Sequence, residues 1–206
     1  MERKPDVMIV ASAMGYYGDR GDETLTETSG PGEGFLPSVA VEWERSADPA
    51  REAGIRVVHM RFGNVLARDG GMVPRLKIPY STGLAGPIGS GKQWWPWIAV
   101  EDAVRAIHFV IENNEISGPV NTVAPGITRQ REFARQFASA LGRPSFMPLP
   151  GWMARIVVGE LATDGLLASQ HMVPGVLERH GFTWLGPDLE TTFHHIFRGR
   201  IESEWR

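Results

Sequence analysis

The chain has 206 residues, 42% of them hydrophobic and 22% charged, the balance of an ordinary globular protein. A net charge of −3 gives no electrostatic case for nucleic acid or an anionic membrane, and the lack of cysteine excludes disulfides and thiolate metal sites. No run approaches the roughly 18 apolar residues of a membrane span. Met1–Asp6 is charged and is not a signal peptide, so the expected setting is the cytoplasm, with no metal, nucleic acid or membrane partner.

Residues 7–12 (Val-Met-Ile-Val-Ala-Ser) are apolar without alternation, which predicts a parallel strand covered on both faces. Gly15-Tyr16-Tyr17-Gly18 turns at its carboxyl end, where open α/β sheets place ligands. Residues 15–34 read as a polar, Gly-rich loop whose length suggests function. Phe35, Val39, Trp43 and Ala47 recur every four residues, predicting one helix from Phe35 to about Ala53 with that stripe as its apolar face. Residues 55–60 predict a second strand, which completes a βαβ unit. Asp69-Gly70-Gly71 is a turn before a short helix near 72–78, and the Gly/Pro-rich stretch 79–93 predicts a small hairpin. A short extended segment at 94–98 follows, then a helix from Val100 to about Asn113, with Glu101 and Asp102 in its first turn. Residues 118–124 predict a third strand, and Thr128 is the expected cap of a helix running to Leu141. From about Pro148 the texture changes to short helices at 152–158, 160–169, 174–180 and 188–197. The expected class is therefore α/β. The later part of a Rossmann-like parallel sheet occupies residues 1–147, and a small, mostly helical domain occupies 148–206.

The run Ser12-Ala13-Met14-Gly15-Tyr16-Tyr17-Gly18-Asp19 resembles the active-site strand of extended short-chain dehydrogenase/reductases, and more narrowly an atypical epimerase-like branch of them. Trp43-Glu44, Arg61-Phe62-Gly63-Asn64-Val65-Leu66, Gly70-Gly71 and the run from Gly83 to Gln93 follow in the order of that branch. So do Trp97-Ile98, Glu101-Asp102 and Asn121-Thr122-Val123-Ala124-Pro125. Near the carboxyl end Gly159-Glu160, Leu166 to Gln170, Pro174 and Gly181-Phe182 resemble the branch's C-terminal domain of unknown function.

The resemblance implies an NAD(P)-dependent epimerase or oxidoreductase, with NADP or NAD as cofactor and a small-molecule substrate. It implies cofactor contacts at Ala11, Ser12, Ala13, Arg61 and Gly63. Ser12 and Tyr16 are the candidate catalytic side chains, and Tyr17, Asn64, Lys92, Trp95 and Trp97 the candidate substrate contacts. Each has a plainer reading: Ser12 as a turn residue, the tyrosines as loop anchors, Asn64 as a strand-end turn, Lys92 as a solvated side chain, the tryptophans as packing. The chain also departs from the family pattern. A Gly-rich pyrophosphate loop opening a helix is absent, so the chain alone is expected to bind a dinucleotide poorly. No Tyr-x-x-x-Lys pair occurs, and counting back from Trp43-Glu44 its positions are Leu36 and Ala40. Trp95 stands where nucleotide-sugar enzymes carry a diphosphate-gripping Arg.

Three readings stay open: the substrate-side portion of such a protein, catalytically impaired as this chain; a non-catalytic small-molecule-binding or regulatory module; or a truncated, non-functional fragment. The first strand would then be a sheet edge, open to self-association or to pairing with a separate N-terminal half.

Overall fold

The computed structural model describes residues 4–83, 85–145 and 165–199. Strand β1 (Val7–Ala13) runs into a 3-10 turn (Met14–Tyr17), and a two-residue strand, β2 (Thr24–Leu25), lies in the following loop. Helices α1 (Phe35–Arg45) and α2 (Asp48–Glu52) lead to β3 (Arg56–Phe62), β4 (Asn64–Ala67) and β5 (Gly70–Gly71). Helix α3 (Met72–Ser81), strands β6 (Trp94–Trp95) and β7 (Trp97–Ala99), helix α4 (Val100–Glu112) and strand β8 (Gly118–Thr122) follow. The rest comprises β9 (Thr128–Arg129), α5 (Gln130–Ala140), β10 (His171–Met172), α6 (Gly175–Arg179) and α7 (Leu189–Arg198).

The main sheet is parallel, in the order β1-β3-β8. β3 is central and buried on both faces, which explains its apolar run without alternation. Val58 and Met60 meet Ala106 and Val110 of α4 and Leu177 of α6. Val57 faces the other way, with Ala47 and Val10. Arg56 closes the end of α4 by donating to the carbonyls of Val110 and Ile111 and, just beyond, of Ile116. β1 is not covered on both faces but has the open edge expected of the first strand of this chain. It is the sheet edge, and Met8 is 39% exposed.

The expected single helix over 35–53 is two. Pro49 sits in the first turn of the second, and a proline ring there clashes with a helical carbonyl four residues back, which ends α1 at Arg45. The stripe read as the core face of this helix points outward, with Phe35, Val39 and Trp43 63%, 45% and 58% exposed. Only Ala47, beyond the helix end, is buried.

Among the described residues no hairpin forms over 79–93. α3 continues through Pro79, and β6 pairs antiparallel with β9 instead. Thr128 therefore lies in a strand and does not cap α5. The first amides of α5 donate to the backbone carbonyls of Gln93 and Gly91, so the preceding loop does the capping.

The expected helix at 152–158, the 147/148 domain boundary and the first half of 160–169 lie outside the described residues. The remainder of the C-terminal stretch packs into the main body. Leu189, Phe193 and Ile196 of α7 join Trp95, Trp97, Phe133 and Phe137 in one buried cluster. Asp102, fully buried, accepts the amides of Leu185 and Gly186, each at 2.9 Å. β10 pairs with β2, and Gln170 donates to the carbonyl of Met14, which ties this stretch to the loop after β1.

Candidate functional site

The parallel register sets the chemistry at the carboxyl end of the sheet. Ser12 is the register partner of Arg61, and Arg61 is the partner of Asn121. Directly paired residues share a face, so a polar row crosses three strands. Glu44 reaches this row from α1. Ser12 Oγ donates to Glu44 Oε1 at 2.7 Å, and Arg61 forks onto the same carboxylate through Nε and Nη2, both at 2.8 Å. Arg61 Nη1 donates to the Tyr17 hydroxyl at 2.9 Å, and that hydroxyl donates to Asn121 Oδ1 at 2.7 Å. The Tyr16 ring covers the guanidinium at 3.4 Å.

The network is enclosed. The Arg61 and Glu44 side chains are 4% and 12% exposed, and Tyr17 is fully buried. Burial pushes the Glu44 carboxyl up, but the hydrogen bonds from Arg61 and Ser12 and the Arg61 charge outweigh it and hold it below the usual carboxylate range. Burial raises the Tyr17 hydroxyl above its ordinary value, although Arg61 opposes this. Tyr17 is thus a neutral, fully engaged hydroxyl.

Above this row a cleft of about 390 Å³ opens between β1 and α1. Ala11, Ser12, Ala13, Met14 and Gly15 form one wall, Leu36, Val39, Ala40 and Trp43 the other, and Gly165 closes a side. Leu36 and Ala40, the positions counted back for the missing Tyr and Lys, both face it. Among the described residues, Ser12 contributes the single side-chain hydroxyl of the lining.

Of the residues singled out from sequence, Ala11, Ser12 and Ala13 line this cleft, while Tyr16, Tyr17 and Arg61 form the layer beside Ser12. Asn64 donates through Nδ2 to the Pro96 carbonyl at 2.9 Å. Gly63 is packed so closely that a Cβ there would lie 2.9 Å from the Pro96 backbone and from Val123, which accounts for glycine without a ligand. Lys92 lies in a separate, open depression of about 460 Å³ with Asp19, Asp22, Arg129 and Arg131. Trp95 and Trp97 are core residues. Trp95 meets the Phe133 ring edge-on, and Trp97 Nε1 donates to the Gly126 carbonyl. They wall no cleft among those lined by described residues.

Sequence reasoning assigned no role to Glu44 or Asn121. Each stood in a motif, Glu44 directly after Trp43 and Asn121 at the head of Asn121–Pro125, but nothing local marked Asn121 as a hub accepting from Tyr17 and donating to the carbonyls of Leu25 and Val173. Among the described residues, no three His, Asp or Glu side chains gather as a metal site, and no helix is long and apolar enough to cross a membrane.

Residues 2–123 match the NAD dependent epimerase/dehydratase family. The chain belongs to that family. Residues 149–196 match a domain of unknown function, DUF1731, the second part of the expected pair. The chain is 42% identical over 188 residues to "Epimerase family protein Mb2239" of Mycobacterium bovis, covering 91% of this chain and 60% of that relative. It is 34% identical over 200 residues to "Epimerase family protein YfhF" of Bacillus subtilis, covering 97% and 65%. It thus spans about three-fifths of the length of such relatives. The fold is similar to that of human epimerase family protein SDR39U1 (isoform 2), crystallised with NADPH, at a TM-score of 0.90 and 31% identity, covering 96% of this chain and 67% of that one. A nucleoside-diphosphate sugar epimerase from Corynebacterium glutamicum superposes with a TM-score of 0.78 at 34% identity, covering 96% and 39%.

Proposed function

We propose that this chain is the substrate-side portion of an NAD(P)-dependent epimerase- or oxidoreductase-like protein, with the nicotinamide end of the cofactor in the cleft between β1 and α1. The observation that carries this reading is the convergence of Ser12, Leu36 and Ala40 on one cleft at the carboxyl end of a parallel strand. Its lining of small and aliphatic side chains suits the flat carboxamide ring, whose bound form gives or takes a hydride. Among the described residues the lining offers no cation for the pyrophosphate, and the nearby Arg61 is already held by Glu44, Tyr17 and Tyr16. Weak dinucleotide binding by this chain alone follows. In saturation-transfer NMR with NADPH and with NADH, the nicotinamide ring protons are expected to receive more saturation than the adenine protons, and Ala40→Trp, which fills the cleft, to abolish the effect. Micromolar affinity for the unaltered chain would overturn the view that the phosphate grip lies outside it. An unchanged signal in Ala40→Trp would remove the cleft as the site.

A second reading, a non-catalytic binding module, is favoured by one feature. The cleft has aliphatic side chains at the expected Tyr and Lys positions, and the one hydroxyl among its described lining residues is committed to Glu44. Its setting is the cytoplasm in both readings. The open edge of β1, flanked by exposed Met8, Phe35, Val39 and Trp43, is the surface through which the chain associates with itself or with a separate N-terminal half. Phe35→Glu with Val39→Glu is expected to change folding stability by less than about 0.5 kcal/mol per site, as exposed positions do. The same pair lowers the associated mass seen by light scattering; an unchanged mass would place the contact elsewhere.

A further inference from the structure

A serine hydroxyl at a strand's carboxyl end can donate to a ligand carbonyl, but the geometry of Ser12 points the other way. Its Oγ lies 2.7 Å from Glu44 Oε1. Both oxygens of that carboxylate are engaged by the Arg61 fork, which holds it ionised, and an ionised carboxylate only accepts hydrogen bonds. The single Ser12 hydrogen is therefore spent on Glu44. Ser12 also lines the cleft, where its described neighbours include Ala11, Ala13, Leu36, Val39 and Ala40, so its Oγ has only lone pairs left to offer a ligand there.

We propose that the cleft selects an apolar ligand bearing a hydroxyl, which donates to Ser12 Oγ, over the ketone of the same shape. A ketone oxygen would face lone pairs and lose its water without replacement, whereas an alcohol keeps a hydrogen bond. Glu44 and Arg61 act as positioning residues, since they set the direction of the Ser12 hydroxyl without lining the cleft themselves. This rests on the reading of the cleft as the ligand site.

The test uses the full chain, with cyclohexanol and cyclohexanone as matched probes. Binding is followed by the indole ¹H–¹⁵N resonance of Trp43, which lines the cleft and is assigned through Trp43→Phe. Cyclohexanol is expected to bind at least about fivefold more tightly, the worth of one net hydrogen bond. Ser12→Ala is expected to erase the difference while leaving Glu44 paired with Arg61. Equal or tighter binding of the ketone overturns the proposal and leaves the cleft standing as a binding site. A preference that survives Ser12→Ala also overturns it. If neither probe shifts the Trp43 resonance, the cleft is not a ligand site and the underlying reading falls with the proposal.

Discussion

Arg61→Ala is expected to cost about 3–5 kcal/mol of folding stability, the usual result of removing one partner from a buried ion pair. The loss has three parts. The Glu44 carboxylate keeps only Ser12 as a hydrogen-bond partner, the Tyr17 hydroxyl loses a donor, and the Tyr16 ring loses the cation it covers. Urea denaturation monitored by tryptophan fluorescence measures it as a lowered midpoint at unchanged slope. Arg61→Lys keeps the charge but not the fork, so it recovers only part of the loss. A cost below about 1 kcal/mol would show that the network is solvated in solution.

The same substitution changes the acid response in a defined direction. The Glu44 carboxyl titrates below its ordinary value in the fold. As the pH falls, the unfolded chain takes up this proton first. The stability contributed by Glu44 is therefore complete above the ordinary glutamate value of ~4.3 and is lost as the pH drops through that value to the lower folded one. Without Arg61, burial, which raises the carboxyl, is opposed chiefly by the Ser12 hydrogen bond, so the folded value moves up toward that of the unfolded chain. The gap in stability between Arg61→Ala and the unaltered chain is accordingly expected to narrow on acidification. A gap independent of pH between neutrality and acid would exclude Glu44 as the linked group.

Phe137→Ala is expected to cost about 3–5 kcal/mol, through lost burial and the cavity left behind. Phe137 is fully buried, and its ring lies 5.0–5.8 Å from those of Tyr80, Phe133, Phe193 and Phe197. It therefore joins α3, α5 and α7 at once. Thermal unfolding should show the drop, with Arg135→Ala on the exposed side of the same helix as a control near zero, because its ion pair with Glu132 lies at the surface. The Ser12 cleft is not built on this cluster, so ligand signals at Trp43 should persist in the variant at temperatures where it is folded. A near-zero effect would mean that α7 does not dock on α5 in solution.

Several features of this molecule were legible in its residues. The apolar run ending at Ser12 marks a parallel strand, and β1 does pair in parallel with β3, although as the sheet edge it keeps one side open to solvent. The distance from Trp43-Glu44 back to Leu36 and Ala40 is fixed within one helix, so both positions arrive in the cleft as counted. The ordered motifs identify the epimerase family, and its parallel α/β sheet is the one observed. Other features were misread for a reason that sequence periodicity cannot avoid. The spacing of Phe35, Val39 and Trp43 says that they share a helix face, but not whether anything covers it. Trp95 and Trp97 carried two readings, substrate contact and packing, which the sequence could not separate; antiparallel pairing of β6 with β9 buries both under α5 and α7.

The sequence by itself determined where the cleft lies: Ser12 at a strand's carboxyl end, with Leu36 and Ala40 in place of an acid/base pair. Only the tertiary structure decided what that cleft presents. Parallel register sets Ser12 beside Arg61 and Arg61 beside Asn121, and α1 brings Glu44 onto the row from 17 residues away. The direction of the Ser12 hydroxyl follows from a charge pair between two separate elements, and neither element carries a local pattern that names the other.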